Sequence, residues 1–233
     1  MFPFIRHKQK YKEHIKINLL LFISSIIILK LAFPFGLYQL AMKINANERS
    51  LLSLSELSMP LSFLLTIILF DVAIYWQHRL FHVIPFLWRS HKVHHSDYVM
   101  DVTMAVRFHP LEILISGLYK IILMMLLGPK AEFYLIYEVL LNGFALFTHG
   151  NFKIPPKIDN ILRLVFVTPI MHYPHHSPDV RLTNTNYGNI FSFWDRLFGT
   201  YIKVDNSKLI YGVDTYMNSD ETQNVGTLLK IPF

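Results

Sequence analysis

Three short histidine runs hold the chemistry of this sequence: HRLFH (His78, His82), HKVHH (His91, His94, His95) and HYPHH (His172, His175, His176). On a helix, positions i, i+3 and i+4 share one face, so each run converges its imidazoles. Pro174 is compatible with this if it sits in a first helical turn, where its missing N–H costs nothing. Eight imidazoles packed together without a cation would leave mutually competing donors and acceptors, each unsatisfied one carrying a penalty. Imidazole suits Zn, Cu, Fe and Ni. Eight rings exceed the four ligands of one tetrahedral zinc, so the pattern predicts two ions. The zinc-protease pattern H-E-x-x-H is absent, because Arg79 follows His78 and Lys92 follows His91. The chain has no Cys, which excludes disulfides, thiolate-held clusters or haem, and a Cys nucleophile.

The face of HRLFH can be followed backward. Tyr75 and Asp71 lie three and seven residues before His78, so Asp71, Tyr75, His78 and His82 form one polar stripe. An Asp in an apolar helix needs a partner. The ring N–H of a metal-binding histidine would be one. His7 and His14 stand alone in a basic leader and are read as ordinary polar residues.

The elements that must position these groups are apolar. Hydrophobic residues are 52% and charged residues 16% of the 233, against about 25% charged in soluble domains. Lipid is therefore the expected solvent. Four stretches approach the ~20 residues needed to cross a bilayer: 17–36, 59–77, 111–127 and 131–148. The last two are separated by Gly128-Pro129-Lys130, which predicts a tight hairpin, spanning or re-entrant. The net charge of +6 is partly gathered in Arg6, Lys8, Lys10, Lys12 and Lys16 ahead of the first stretch. That placement fits a cytoplasmic anchor beside anionic lipid, and no base-reading motif points to nucleic acid. A cytoplasmic N-terminus and two crossings bring 78–110 back to the cytoplasm. The hairpin then returns 149–233 to the same side.

The expected fold is thus all-α: about four membrane helices, two of them a tight hairpin, beneath a cytosolic histidine-rich helical cap. The expected divisions are a basic leader (1–16), a membrane-embedded domain (17–204) and a polar tail (205–233). The host membrane would be a bacterial inner membrane, or the endoplasmic reticulum in a eukaryote.

From Asp71 to Tyr201 the chain resembles the fatty acid hydroxylase superfamily, also called the sterol desaturase family. The resemblance rests on DVAIYWQHRLFH, LWRSHKVHHS, RFHPLE, FTHGN, TPIMHYPHHS and NYGNIFSFWDRLFGTY. It implies two iron ions held by His78, His82, His91, His94, His95, His172, His175 and His176, with His149 in a further ligand position. His109 is either a ligand or a structural residue tied to Arg107 or Glu112. Asn151 and Asp195 fall in the same motifs as candidate supporting residues. Trp194, Leu197 and Phe198 are expected to pack on the core, with Gly199 capping their helix. The resemblance also implies O2 as co-substrate, a lipid substrate, and electrons from a separate cytochrome b5-, ferredoxin- or reductase-type donor.

The reaction so implied is hydroxylation or desaturation of a sterol, fatty acyl, sphingoid or alkyl-ether chain. Two alternatives stand beside it: a non-redox metalloprotein loaded with zinc, which overexpression can also misload, and an inactive lipid-binding homologue.

Overall fold

The computed structural model describes residues 11–45, 51–52, 57–206, 209–213 and 220–233. Arg6, His7, Lys8 and Lys10 of the basic leader lie outside them. Among the described residues there is no strand, only an isolated bridge between Phe166 and Phe191.

Four helical segments are long and apolar enough to cross a membrane: Lys12–Ile44, Met59–Val83, Pro110–Leu127 and Ala131–His149. The first is broken. α1 (Tyr11–Ala32) ends before Phe33-Pro34, and α2 (Gly36–Asn45) restarts from Gly36, whose φ of 75° suits glycine. α3 (Met59–Val83) follows, then α4 (Pro85–His95), with extended Ile84 between them and Pro85 in the first turn of α4. α5 (Pro110–Leu127) ends on Gly128 in the left-handed conformation, and α6 (Ala131–His149) starts three residues later. The amides of Leu51 and Leu52, just ahead of α3, donate to the carbonyls of Leu126 and Leu127, which the end of α5 leaves open.

In lipid, helices associate through close packing rather than escape from water. Gly117 of α5 supplies such an approach: a Cβ there would lie 2.9 Å from the Phe33 ring. Phe70 of α3 fills the middle of the bundle against the rings of Tyr134 and Tyr137 of α6. Ile67, Ile74, Ala41 and Met124 complete that core.

The helices alternate in direction, so one end of the bundle collects the N-termini of α1 and α5 and the C-termini of α3 and α6. Over that end lie α4, a 3-10 turn at Val102–Val106, α7 (Pro156–Leu162), α8 (Pro169–His172) with its 3-10 extension Tyr173–His176, α9 (Val180–Thr183) and α10 (Phe193–Leu197). The chain end returns as α11 (Val225–Leu228), whose Leu228 is buried against Ile17, Leu21 and Val93.

A buried polar clamp ties these pieces. Arg107 donates to the Val93 carbonyl, Asn18 Oδ1, Ser96 Oγ and the Thr222 carbonyl, with Asp97 Oδ2 3.4 Å away. His14 is not a surface residue: it sits 2.9 Å from Asp97 and 3.1 Å from Asp101, and is 2% exposed. Burial pulls the Asp97 carboxyl upward, but Arg107 and His14 outweigh it and hold it below the usual carboxylate range.

Candidate metal centre

α3 brings His78 and His82 from its last turns, α4 brings His91, His94 and His95, and α6 brings His149 as its final residue. The segment 169–176 brings His172, His175 and His176. It starts where Thr168 Oγ1 accepts from the Met171 amide, and Pro174 lies in the first turn of its 3-10 half.

These nine rings form two adjacent groups. His78, His82, His91, His95 and His175 make one; His94, His149, His172 and His176 make the other. Within each group the ligating nitrogens lie within 4.8 Å of one another. The one-face reading of H-x-x-H-H is corrected here. Consecutive residues point about 100–120° apart, so His94 and His95, or His175 and His176, diverge. Each run gives its i, i+4 pair to one group and its i+3 ring to the other. The rings of His95 and His176 stack at 4.4 Å across the boundary.

Hydrogen bonds fix which nitrogen faces inward. His78 Nδ1 donates to the Tyr187 carbonyl at 2.8 Å, and His175 Nδ1 to the Thr185 carbonyl at 2.7 Å. A carbonyl only accepts, so both rings are protonated on Nδ1 and carry a lone pair on Nε2. Those two Nε2 atoms face each other at 2.9 Å. Two acceptors at that distance repel unless a cation lies between them. The second group repeats the motif: His149 Nδ1 donates to the Ala145 carbonyl at 2.8 Å. Its Nε2 then meets those of His94, His172 and His176 at 3.2, 3.2 and 3.1 Å. An ion with nitrogen bonds of about 2.0–2.1 Å spaces adjacent ligands roughly 2.9–3.4 Å apart, from right-angled to tetrahedral. The donor set therefore fits metal in both groups.

Burial, followed by the charge that neighbouring imidazoles would carry, holds His94, His95, His172 and His176 well below the ordinary histidine value. His175 is lowered to about 3 by burial first and then His91. The neutral ring that results is the ligating form. His91 Nδ1 is held at 2.7 Å by Glu112 Oε1, the carboxylate–histidine pairing that orients metal ligands.

Other residues singled out by the sequence do different work. His109 lies outside both groups: its Nδ1 accepts from the Leu111 amide, capping α5, and its Nε2 donates to the Leu229 carbonyl. Burial lowers its pKa, while the Leu229 carbonyl and Glu112 raise it. Asp71 does not meet a histidine. It accepts from the amides of Ile190 and Phe191 and from Trp194 Nε1. Tyr75 shares a 2.7 Å bond with Thr200 Oγ1. Asp195 accepts from the amides of Tyr187 and Gly188 and from Thr200 Oγ1; burial still raises its carboxyl. Asp71 of α3, and Asp195 from within the segment, thus pin the 187–200 stretch whose Tyr187 carbonyl aims His78. Asn151 lies just beyond His149, outside both groups. Leu197, expected in the core, is 67% exposed, while Trp194 is buried and Gly199 adopts φ 70°.

Tyr187 was not marked by its sequence. Its ring meets those of His78, His82 and His175 edge-on at 5.1–5.7 Å, and burial pushes its phenol up to about 12. Only its place in the NYGN run hinted at it. Backbone carbonyls such as those of Ala145 and Thr185 leave no sequence signal at all.

A cavity of about 180 Å³ opens between α3, α5 and α6 against both groups. Its walls include His78, His91, His149 and His172 beside Phe81 and Leu141.

The chain is 28% identical over 151 residues to alkylglycerol monooxygenase of Homo sapiens, covering 65% of this chain and 33% of that protein. It is 34% identical over 148 residues to the ornithine lipid hydroxylase OlsE of Rhizobium tropici, covering 61% and 43%. With cholesterol 25-hydroxylase of Rattus norvegicus it shares 27% over 171 residues, covering 71% and 56%. The chain thus spans a third to just over half the length of these relatives. No solved structure matches it. The fatty acid hydroxylase family model matches residues 63–200, more than half of the chain, and the chain belongs to that family.

Proposed function

We propose that the protein is a membrane oxidoreductase that hydroxylates a lipid C–H bond at a pair of iron ions, with O2 as co-substrate. One observation carries this reading: a largely apolar cavity ends on two adjacent groups of closely packed imidazoles, five and four rings strong. The named activities of the relatives, on alkylglycerol, ornithine lipid and cholesterol, support a lipid substrate.

His78, His82, His91, His95 and His175 would hold one ion, and His94, His149, His172 and His176 the other. Two redox-active ions would supply O2 activation, with electrons from a cytochrome b5-, ferredoxin- or reductase-type donor. The residues of the chain provide the rest. All-imidazole ligation leaves the ions' positive charge uncompensated, unlike a carboxylate-rich site. Glu112 and the Tyr187, Thr185 and Ala145 carbonyls fix ring orientation. Phe81, Ile74 and Leu141 would give the alkyl chain an apolar wall beside the histidines. Basic residues ahead of α1 support a cytosolic placement of the histidine end of the bundle.

The test pairs metal with turnover. Protein purified from its native host should contain two irons per chain and consume O2 when given an electron donor and lipid. A His94→Ala, His175→Ala double variant should lose both properties. Full activity in that variant, or two zinc and no iron in the native protein, overturns the proposal.

A further inference from the structure

Halfway along α5 and α6 stands an ion pair that the proposed chemistry does not use. Lys120 Nζ lies 2.9 Å from Glu138 Oε2 and 2.8 Å from Oε1. The two side chains are 14% and 21% exposed, inside segments otherwise apolar enough to span a membrane. Charge at that depth is expensive and marks function when it borders a cavity. Lys120 borders two cavities, and Glu138 the second of them. Lys120, Ser116 and Asn142 line the cavity that ends on the histidines. The same three, now with Glu138, line a second cavity of about 250 Å³. That second space is walled by Phe22, Ile26 and Leu29 of α1, and Phe22 and Ile26 are exposed on the bundle surface where lipid would lie. The polar residues thus stand where a lateral entrance from the bilayer meets the histidine cavity.

The geometry sets a length. Lys120 is eight residues past Glu112, about 12 Å along α5, and Asn142 is seven residues before His149, about 10 Å along α6. An ammonium has three N–H donors, and Glu138 does not exhaust them. The side-chain N–H of Asn142 donates to the Glu138 carbonyl, and Asn142 lines both cavities together with Lys120.

We propose that Lys120, Glu138 and Asn142 bind an oxygen-bearing group of the lipid substrate, a hydroxyl, ether or ester oxygen, and so select which carbon meets the histidines. The selected carbon lies about 10–12 Å from that oxygen. A saturated hydrocarbon lacking oxygen enters the same space without a fixed register. This inference deepens the lipid-hydroxylation reading and rests on it.

The experiment needs no metal and no turnover. Full-length protein in bilayer nanodiscs is photolabelled with a hexadecanol carrying a mid-chain diazirine, and separately with the matching hexadecane diazirine. Labelled residues are mapped by peptide mass spectrometry. The variants are Lys120→Met/Glu138→Leu and Lys120→Gln/Glu138→Gln. Both remove the two charges together, which avoids stranding one buried charge. The alcohol probe should label Phe81, Phe108 and Leu141 in the native protein. In the Met/Leu variant that labelling should fall about tenfold or more, the loss expected for a hydrogen bond to a charged group. The Gln/Gln variant, which keeps donors and acceptors, should recover most of it. The hexadecane probe should label every protein alike. Equal labelling by the alcohol in native and Met/Leu proteins overturns this inference and leaves the lipid-hydroxylation reading standing. Failure of both probes to reach the histidine cavity overturns both.

Discussion

Gly188→Ala adds one methyl group that should reach the proposed metal centre without touching any of the nine histidines. A Cβ at Gly188 would lie 2.8 Å from Asp195 Oδ2, 2.9 Å from the Phe191 carbonyl oxygen and 3.0 Å from a Val167 methyl. Favourable contacts lie near 3.5–4.0 Å, so the methyl must retreat from three directions at once. None yields easily. Asp195 Oδ2 accepts from the Gly188 amide at 2.9 Å, and the Phe191 amide is held by Asp71. Overpacking of this kind costs about 1–3 kcal/mol. A displaced Asp195 bond adds about 1 kcal/mol. At about 2–4 °C per kcal/mol for a chain of this size, thermal unfolding should fall by several degrees. The Tyr187 carbonyl, one residue away, shifts off His78 Nδ1, an orienting contact of a kind worth about 10–100-fold in metal affinity. The loss belongs to the five-histidine group alone. Equilibrium dialysis against buffered ferrous ion should therefore show one site unchanged and one weakened. Two sites of native affinity and an unchanged melting temperature would refute the reasoning.

Glu112→Leu should weaken the same site by about 10–100-fold, whereas Glu112→Gln, which can still accept from His91 Nδ1, should lose much less; metal titration distinguishes them. His109→Ala should retain both ions and cost only about 1 kcal/mol from the lost cap, while His149→Ala should abolish the four-histidine site, as metal analysis and thermal unfolding would show. Asn186→Ala should destabilise by about 2–3 kcal/mol in chemical unfolding, because Asn186 sits at φ 52° and its side chain bonds Met171 and Ile202. The chain has no Cys, so single cysteines introduced at Lys92 and Lys153 should react with impermeant reagent from one and the same side of sealed vesicles. Labelling from opposite sides would remove the basis for a shared centre.

The histidine spacing was legible because helical periodicity is local, and the four membrane segments because hydropathy is local too. What local pattern could not carry was partnership across long sequence distances. Asp71 reads as a ligand's neighbour from its helix face, yet its acceptors' partners lie some 120 residues on, at Ile190, Phe191 and Trp194. His14 reads as part of a basic leader, yet it is sealed against Asp97 and Asp101. His109 sits in a motif with Arg107 and Glu112, but only the structure shows it capping α5. Leu197 fits an inward helical stripe, but α10 is too short to bury a full face. The five-and-four division of the rings depends on divergence between neighbouring residues, which a shared-face argument averages away.

That division also gives the centre an order of assembly. Four of the five histidines of one group, His78, His82, His91 and His95, precede residue 96, and only His175 comes later. The other group has His94 early and waits for His149, His172 and His176. As the chain emerges from the ribosome, the first group is one donor short of complete while the second holds His94 alone. The late segment 172–176 then closes both in a single docking step.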